Sequence, residues 1–281
     1  MTERLADISA RIDNVRQLDS VVTAMRGIAA SRAQQSRNLL TGVEAYTETI
    51  SLAIGEALCC IASNGSSMAG APGGGHALVV FCAEQGFAGG LSDRVLEAAG
   101  ETAGQMQLIV VGTRGAAIAG ERGFVARKIV AMPTRIDGVP ALANLIADAL
   151  YAGIAAGSIM RVSILYPRLD GGHDLKIERS ALFPIEFEKF RKRTSALPPL
   201  LTLAPETLIE RLAAEYVYAR LCEAAMHAYA AENQARMDTM SAASNNIDRT
   251  LETLKQRENQ IRQEEVTAEI VELSAGRQGL R

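Results

Sequence analysis

Few residues in this chain are placed to do chemistry. The string Gly86-Phe87-Ala88-Gly89-Gly90 follows an apolar run and precedes a helical one, where a nucleotide-binding loop would stand. It lacks the G-x-G-x-x-G spacing, and no Lys-Ser/Thr follows to reach a phosphate. A tight strand-to-helix turn accounts better for these glycines, which accept backbone angles closed to other residues. The histidines His76, His173 and His227 have no cysteine or carboxylate pair at metal-ligand spacing, and His227 falls inside a long helical pattern. Neither a metal centre nor a catalytic triad is expected, and no cofactor. The carboxylates Glu264 and Glu265 are adjacent on a helix, point in different directions, and suit a solvated face rather than an acid–base pair.

One polar group keeps two readings open: Arg262, Gln263, Thr267, Glu269 and Glu272. It suits a solvated face, in which the helical pairs Glu258–Arg262 and Arg262–Glu265 each contribute a few tenths of a kcal/mol. It equally suits a set of groups that grips another protein. Periodicity does not choose between them. Arg236, between Ala235 and Met237, is open in the same way.

The element carrying these residues is the last stretch of the chain, 206–281. It has no proline, and no glycine before Gly276. Steps of seven from Leu212 give Ala219, Met226, Asn233, Met240, Ile247, Leu254, Ile261 and Ala268, a nearly unbroken apolar seam. At about 1.5 Å per residue such a helix would extend on the order of 100 Å, more than a domain of this size can bury along its length. It must meet a partner helix, and partner proteins as well. Residues 1–62 hold no proline and carry a second seam: Ile8, Val15, Val22, Ala29, Ser36, Val43 and Ile50. A companion row three residues further on runs Leu18, Met25, Arg32, Leu39, Tyr46 and Ala53, which predicts an a/d-type face on a first long helix over Leu5–Ala62.

Between the helices the pattern changes. Residues 63–75, rich in Gly and Ser and broken by Pro72, read as a linker. From His76 to Lys192, short apolar runs such as Ala77–Ala83, Leu108–Val111 and Met160–Tyr166 alternate with helical stretches, the mark of a largely parallel sheet. Asp174–Phe187 alternates polar and apolar residues as an edge strand would, and residues 193–205, with Pro198, Pro199 and Pro205, form a stiff link. The predicted architecture is α/β: a long antiparallel coiled coil of the N- and C-terminal helices with an inserted, Rossmann-like α/β domain.

Composition supports this layout. Of 281 residues, 48% are hydrophobic but only 4% aromatic, a mix of Ala, Leu, Ile and Val suited to closely packed helices. A formal net charge of −3 gives no basic surface for nucleic acid. Cys59, Cys60, Cys82 and Cys222 form neither a disulfide framework nor a metal set, which fits a reducing compartment. No uninterrupted apolar run is long enough to predict a membrane-spanning helix, and no signal-peptide core precedes Leu5.

Several blocks resemble the gamma subunit of F-type ATP synthases, in order and spacing over nearly the whole chain. Val22-Thr23-Ala24-Met25 with Ile28-Ala29-Ala30-Ser31-Arg32 is similar to the family's first-helix motif, and Gly86 to Ser92 to its glycine turn. The more specific block is C-terminal: Glu232-Asn233-Gln234-Ala235-Arg236-Met237, Ala242 to Asn246, and Asn259-Gln260-Ile261-Arg262-Gln263 with Thr267, Glu269 and Ile270. The resemblance implies a rotor shaft without bond chemistry, standing in a ring of alpha and beta subunits, with the α/β insert near the epsilon subunit and the membrane c-ring. It implies peripheral attachment, through the complex, on the cytoplasmic side of a bacterial plasma (inner) membrane. By position, Met25, Arg236, Arg262, Gln263, Thr267 and Glu269 match family residues at or beside the shaft–ring contact. The chain departs from the family pattern at Glu84-Gln85, where an Asp-Arg pair is usual, at Ala88 in place of Cys, and in a terminus carrying Arg277 and Arg281. Rival readings are an α/β ligand-binding domain with helical dimerisation arms, and a shaft-like regulator of another ATPase ring.

Overall fold

The computed structural model describes residues 5–59, 75–100, 104–170, 174–187, 190 and 201–278, without the side chains of 272–278. The linker read at 63–75 and the proline link at 193–205 fall mostly outside these residues. In chain order the elements are α1 (Leu5–Cys59), β1 (His76–Phe81), α2 (Leu91–Ala99), β2 (Gln107–Val111), α3 (Thr113–Glu121), β3 (Ala126–Val130), α4 (Val139–Ala155), β4 (Arg161–Asp170), β5 (Asp174–Phe183) and α5 (Pro205–Gln278). Two compact units divide the chain: Met1–Ala29 with Met237–Arg281, and Ala30–Arg236.

The second unit is built on a five-stranded sheet of order β3-β2-β1-β4-β5. β1 pairs in parallel with β2 and β4, β2 in parallel with β3, and β5 closes the far edge antiparallel to β4. β1 reads as an unbroken apolar run because both of its faces are covered. Ala77, Val79 and Phe81 point into a core shared with α4 and α5, while Leu78, Val80 and Cys82 point into one shared with α2 and α3. Among the described residues only α4, with the turn before it, is long and apolar enough to cross a membrane. It instead buries Leu142, Ala143, Ile146 and Leu150 in the sheet core.

One glycine sets the approach of α3 to β1. Gly112, at the β2–α3 turn, has φ 108°, and a Cβ there would lie 2.6 Å from the Cys82 carbonyl oxygen. Only a residue without a side chain fits, so the N-terminus of α3 comes close beside the end of β1.

Each unit contains its own antiparallel pairing of α1 with α5. In the first unit Ile8 and Ile12 pack with Ile261, and Val22 packs with Met240 and Ile247. The Ser9 hydroxyl donates to Glu258 Oε1 at 3.1 Å. In the second, Arg37 Nη2 donates to Gln234 Oε1 at 3.1 Å, and Tyr46 bonds Glu215. The α5 seam is buried at Ala219, Met226, Asn233, Met240, Ile247 and Ile261.

The α1 seam departs from the predicted rows. Ile8, Val22, Ala29, Ser36 and Ile50 are buried, as their row requires. The companion row holds only in part: Met25, Arg32 and Ala53 are half-buried, but Leu18, Leu39 and Tyr46 are 53%, 50% and 41% exposed. The inward companions stand four residues on, not three, at Ile12, Ala33, Thr47 and Ile54. A seven-residue repeat admits either offset, and this sequence places its larger apolar side chains on the outer one. Truncating Ile12 to Ala should therefore cost about 2–4 kcal/mol in chemical denaturation, whereas Leu18→Gln should change stability by less than about 0.5 kcal/mol. Equal costs would restore the predicted rows.

Candidate functional site

In an open α/β sheet, ligands bind outside the carboxyl ends of the strands, where the strand order reverses. Here that switch lies between β1 and β4. The crevice is filled by the chain itself. Ala231 and Ala235 of α5 pack there with Ala83, Ala88, Leu91, Leu169 and Leu175. Small residues on α5 let the helix backbone come close to the strand ends.

Two carboxylates occupy the donors that an anionic ligand would use. Glu84 accepts from the Thr113 amide at the start of α3 (2.9 Å), from the Thr113 hydroxyl (2.8 Å) and from the Met132 amide (2.8 Å). A carboxylate at a helix N-terminus is favoured by the unpaired amides and the helix dipole. Glu232, on α5, accepts the Glu84 amide through Oε2 and the Gln85 amide through Oε1, each at 3.1 Å. The Glu84, Gln85, Thr113 and Met132 amides are thus satisfied by protein carboxylates, and Gly86–Gly90 forms the strand-to-helix turn expected of it.

Arg236 completes the arrangement. It lies one helical turn after Glu232, and its Nη2 donates to Glu232 Oε1 at 2.5 Å. Its Nε donates to the Gly86 carbonyl at 3.2 Å, and its Nη1 to Asn233 Oδ1 at 3.4 Å. The side chains of the pair are only 7% and 5% exposed. Glu232 thus receives the amides entering the turn, and Arg236 holds a carbonyl within it. At the turn's apex Phe87 has φ 62° and is 64% exposed, a conformation that bulky residues adopt only when their surroundings impose it.

The other predicted residues belong to the first unit. Met25 is half-buried against the cluster of Val22, Met240 and Ile247. Ile261 is the last buried residue of α5 among those whose side chains are described, and every residue from Arg262 to Val271 is exposed. Arg262 reaches back to Glu258 at 3.4 Å, and its side chain remains 60% exposed. The Thr267 hydroxyl is tied to the Gln263 carbonyl at 2.7 Å, a local helix bond. Gln263 and Glu269 are exposed on the same stretch. Val266, Ile270 and Val271 are 49%, 60% and 60% exposed beside them. The structure thus groups Arg262, Gln263, Thr267 and Glu269 on one exposed helix end, while Arg236 is buried in the other unit.

Neither buried thiol is disposed to act as a nucleophile. Burial, with Asp93 adding to it, pushes the Cys82 thiol up to about 12, and burial also raises Cys222.

Comparison with known proteins decides the family. The family whose sequence model is described as ATP synthase matches residues 4–280. The chain belongs to the ATP synthase gamma family. It is similar to the ATP synthase gamma chain of Clostridium acetobutylicum, at 25% identity over 98% of this chain and 97% of the relative. It is also similar to that of Frankia casuarinae, at 26% identity over 100% and 99%. Among solved structures, the rotor of the Euglena gracilis mitochondrial ATP synthase superposes with a TM-score of 0.66 at 14% identity, over 93% of this chain and 98% of the other. The central stalk of the Tetrahymena thermophila enzyme gives 0.55 at 15%, over 80% and 99%. As a member of this family the protein is a non-catalytic central-stalk subunit.

Sequence reasoning found Arg236 but not its partners. The signal was present in Glu232, four residues earlier on the same helical face, the spacing of an ion pair. Breaking a buried pair strands a charge, so Arg236→Ala should cost about 3–5 kcal/mol in unfolding of the full chain. A loss below about 1 kcal/mol would show that the pair does not hold the turn.

Proposed function

We propose that this gamma-family chain is the rotating shaft of a bacterial ATP synthase. In this reading it stands in an alternating ring of alpha and beta subunits and is joined below to an epsilon subunit and a membrane c-ring. It sits on the cytoplasmic side of the plasma membrane as a peripheral component. Its rotation couples ion flow through the c-ring to ATP synthesis or hydrolysis in the ring. The coupling requires only contacts that differ between conformers of the surrounding subunits.

The observation that carries this reading is the exposed end of α5. A soluble helix normally hides its apolar residues, yet from Arg262 onward Val266, Ile270 and Val271 stand exposed among polar groups. Arg262 and Gln263 add donors that can hold a partner's carboxylate or loop and release it. On α1, Leu18, Val21 and Ile28 are each more than half exposed, with Met25 between them in sequence. In this proposal Met25, Arg262, Gln263, Thr267 and Glu269 touch the ring directly. Arg236 acts from beside the contact by fixing the turn that carries Phe87.

Co-expression with the alpha and beta subunits of the same organism should give a single ATP-hydrolysing assembly on size exclusion. A chain that elutes apart from the ring would overturn the proposal. The Arg262→Ala, Gln263→Ala double variant should lower ATP-driven ion pumping at least about tenfold, while the isolated chain's stability changes by less than about 0.5 kcal/mol. Unchanged pumping would remove these two residues from the contact.

A further inference from the structure

His227 lies on α5 where four elements of the second unit meet, and its ring is buried. Its side chain is 4% exposed and stacks on Tyr166 of β4, with ring centroids 5.8 Å apart and planes 24° from parallel. Tyr166 is itself fully buried. His227 Nε2 stands 3.5 Å from Glu44 Oε1 of α1 but makes no hydrogen bond. A buried ring nitrogen without a partner is uncommon.

The charges around the ring come from all four elements. α1 supplies Glu44, and β4 supplies Arg168, which reaches Glu44 at 3.8 Å and Glu178 at 3.4 Å. β5 supplies Glu178 and also Ser180, whose hydroxyl accepts from Arg220 at 2.9 Å. α5 supplies Arg220, paired with Glu223 at 2.9 Å. Glu178 and Glu223 are already engaged by the two arginines, which leaves Glu44, 41% exposed and shared with Arg168, as the one carboxylate facing the ring nitrogen. An imidazolium here would be a third cation among them, stacked on an uncharged phenol and cut off from water. Burial is the main cause, and Arg168 the next, that lowers the imidazole from its usual 6.5 to about 4.

We infer that His227 is an acid-sensitive joint: a neutral ring that seats α1 and α5 on β4 and β5, and loosens that seat when it takes a proton. The sign follows from linkage. The opened state binds the proton below 6.5, whereas the closed state resists it until about 4. Closed packing is therefore at full strength above 6.5 and weakens as the pH falls, levelling off below about 4. A His227→Phe variant keeps a stacking ring without the titration.

The test is hydrogen exchange of the full-length chain, expressed as protection factors at pH 7 and pH 5. Amides of α5 around His227 and of β4 should lose about 20-fold in protection in the wild type, and His227→Phe should abolish most of that loss. Amides pairing β1 with β2 should change alike in both proteins. An equal loss in the variant would overturn the joint. Should the variant fail to fold, carbon-labelled histidine resonances of the wild type decide: a His227 titration at or above 6.5 overturns the inference, and one near 4 supports it.

Discussion

In the second unit one buried ion pair ties α5 to the strand ends. Glu232 and Arg236 sit on α5 where the helix crosses the strand ends, and both are nearly free of solvent. Removing two charges from water costs several kcal/mol, and their mutual attraction offsets it only when the remaining donors and acceptors are also met. Here they are met by the backbone of one turn: the Glu84 and Gln85 amides reach Glu232, and the Gly86 carbonyl accepts from Arg236. Without the helix, the turn would leave two part-buried amides without their carboxylate, and without the turn, the helix would leave a buried charge pair with fewer partners. Helix and sheet are thereby locked in one register, which hydrophobic packing of small alanines alone would fix poorly.

The same lock accounts for what the glycine turn became. A sheet with order β3-β2-β1-β4-β5 has its natural ligand crevice at the β1–β4 switch. In this chain two carboxylates take the place of the ligand's oxyanions, and α5 takes the place of its body. The departure from the family's Asp-Arg at Glu84-Gln85 does not disturb this, because the Glu84 carboxylate reaches the Thr113 and Met132 amides, and the Gln85 contribution to the lock is its backbone amide. The turn ends with Phe87 outward at a positive φ, a strain that surrounding bonds must hold.

The sequence made the elements plain where a period was strong and one-sided. Strands β1, β2, β4 and β5 and the α5 seam follow from runs and sevenfold steps, with ends displaced by a few residues. It misled at α1, because two apolar rows share one repeat and only packing chooses between them. Leu18 and Tyr46 look like core residues by type and are exposed, while Ser36 on the inward row is buried, as is Thr47, outside both predicted rows. Their burial is affordable because each hydroxyl donates to the carbonyl one turn earlier, at Arg32 and Val43. The buried polar face of α5 was legible only as an i,i+4 spacing. Nothing local distinguishes an ion pair meant for solvent from one meant for the strand ends.

That ambiguity bears on function, because α5 lives in two regimes. From Leu221 to Gln234 every residue is buried, polar ones included; from Arg262 to Val271 every residue is exposed, apolar ones included. Neither stretch obeys the usual amphipathic rule, and the two exceptions are complementary. A helix buried on all sides cannot slide or rotate against its own domain without breaking the Glu232–Arg236 lock. A helix exposed on all sides can change neighbours without any loss of internal packing. For an element that carries torque, the first property prevents the motion from being dissipated inside the chain. The second lets each contact be made and released at no cost to the fold. A coupling role therefore asks for this division of burial along one helix, and an α5 amphipathic throughout would serve it less well at either end.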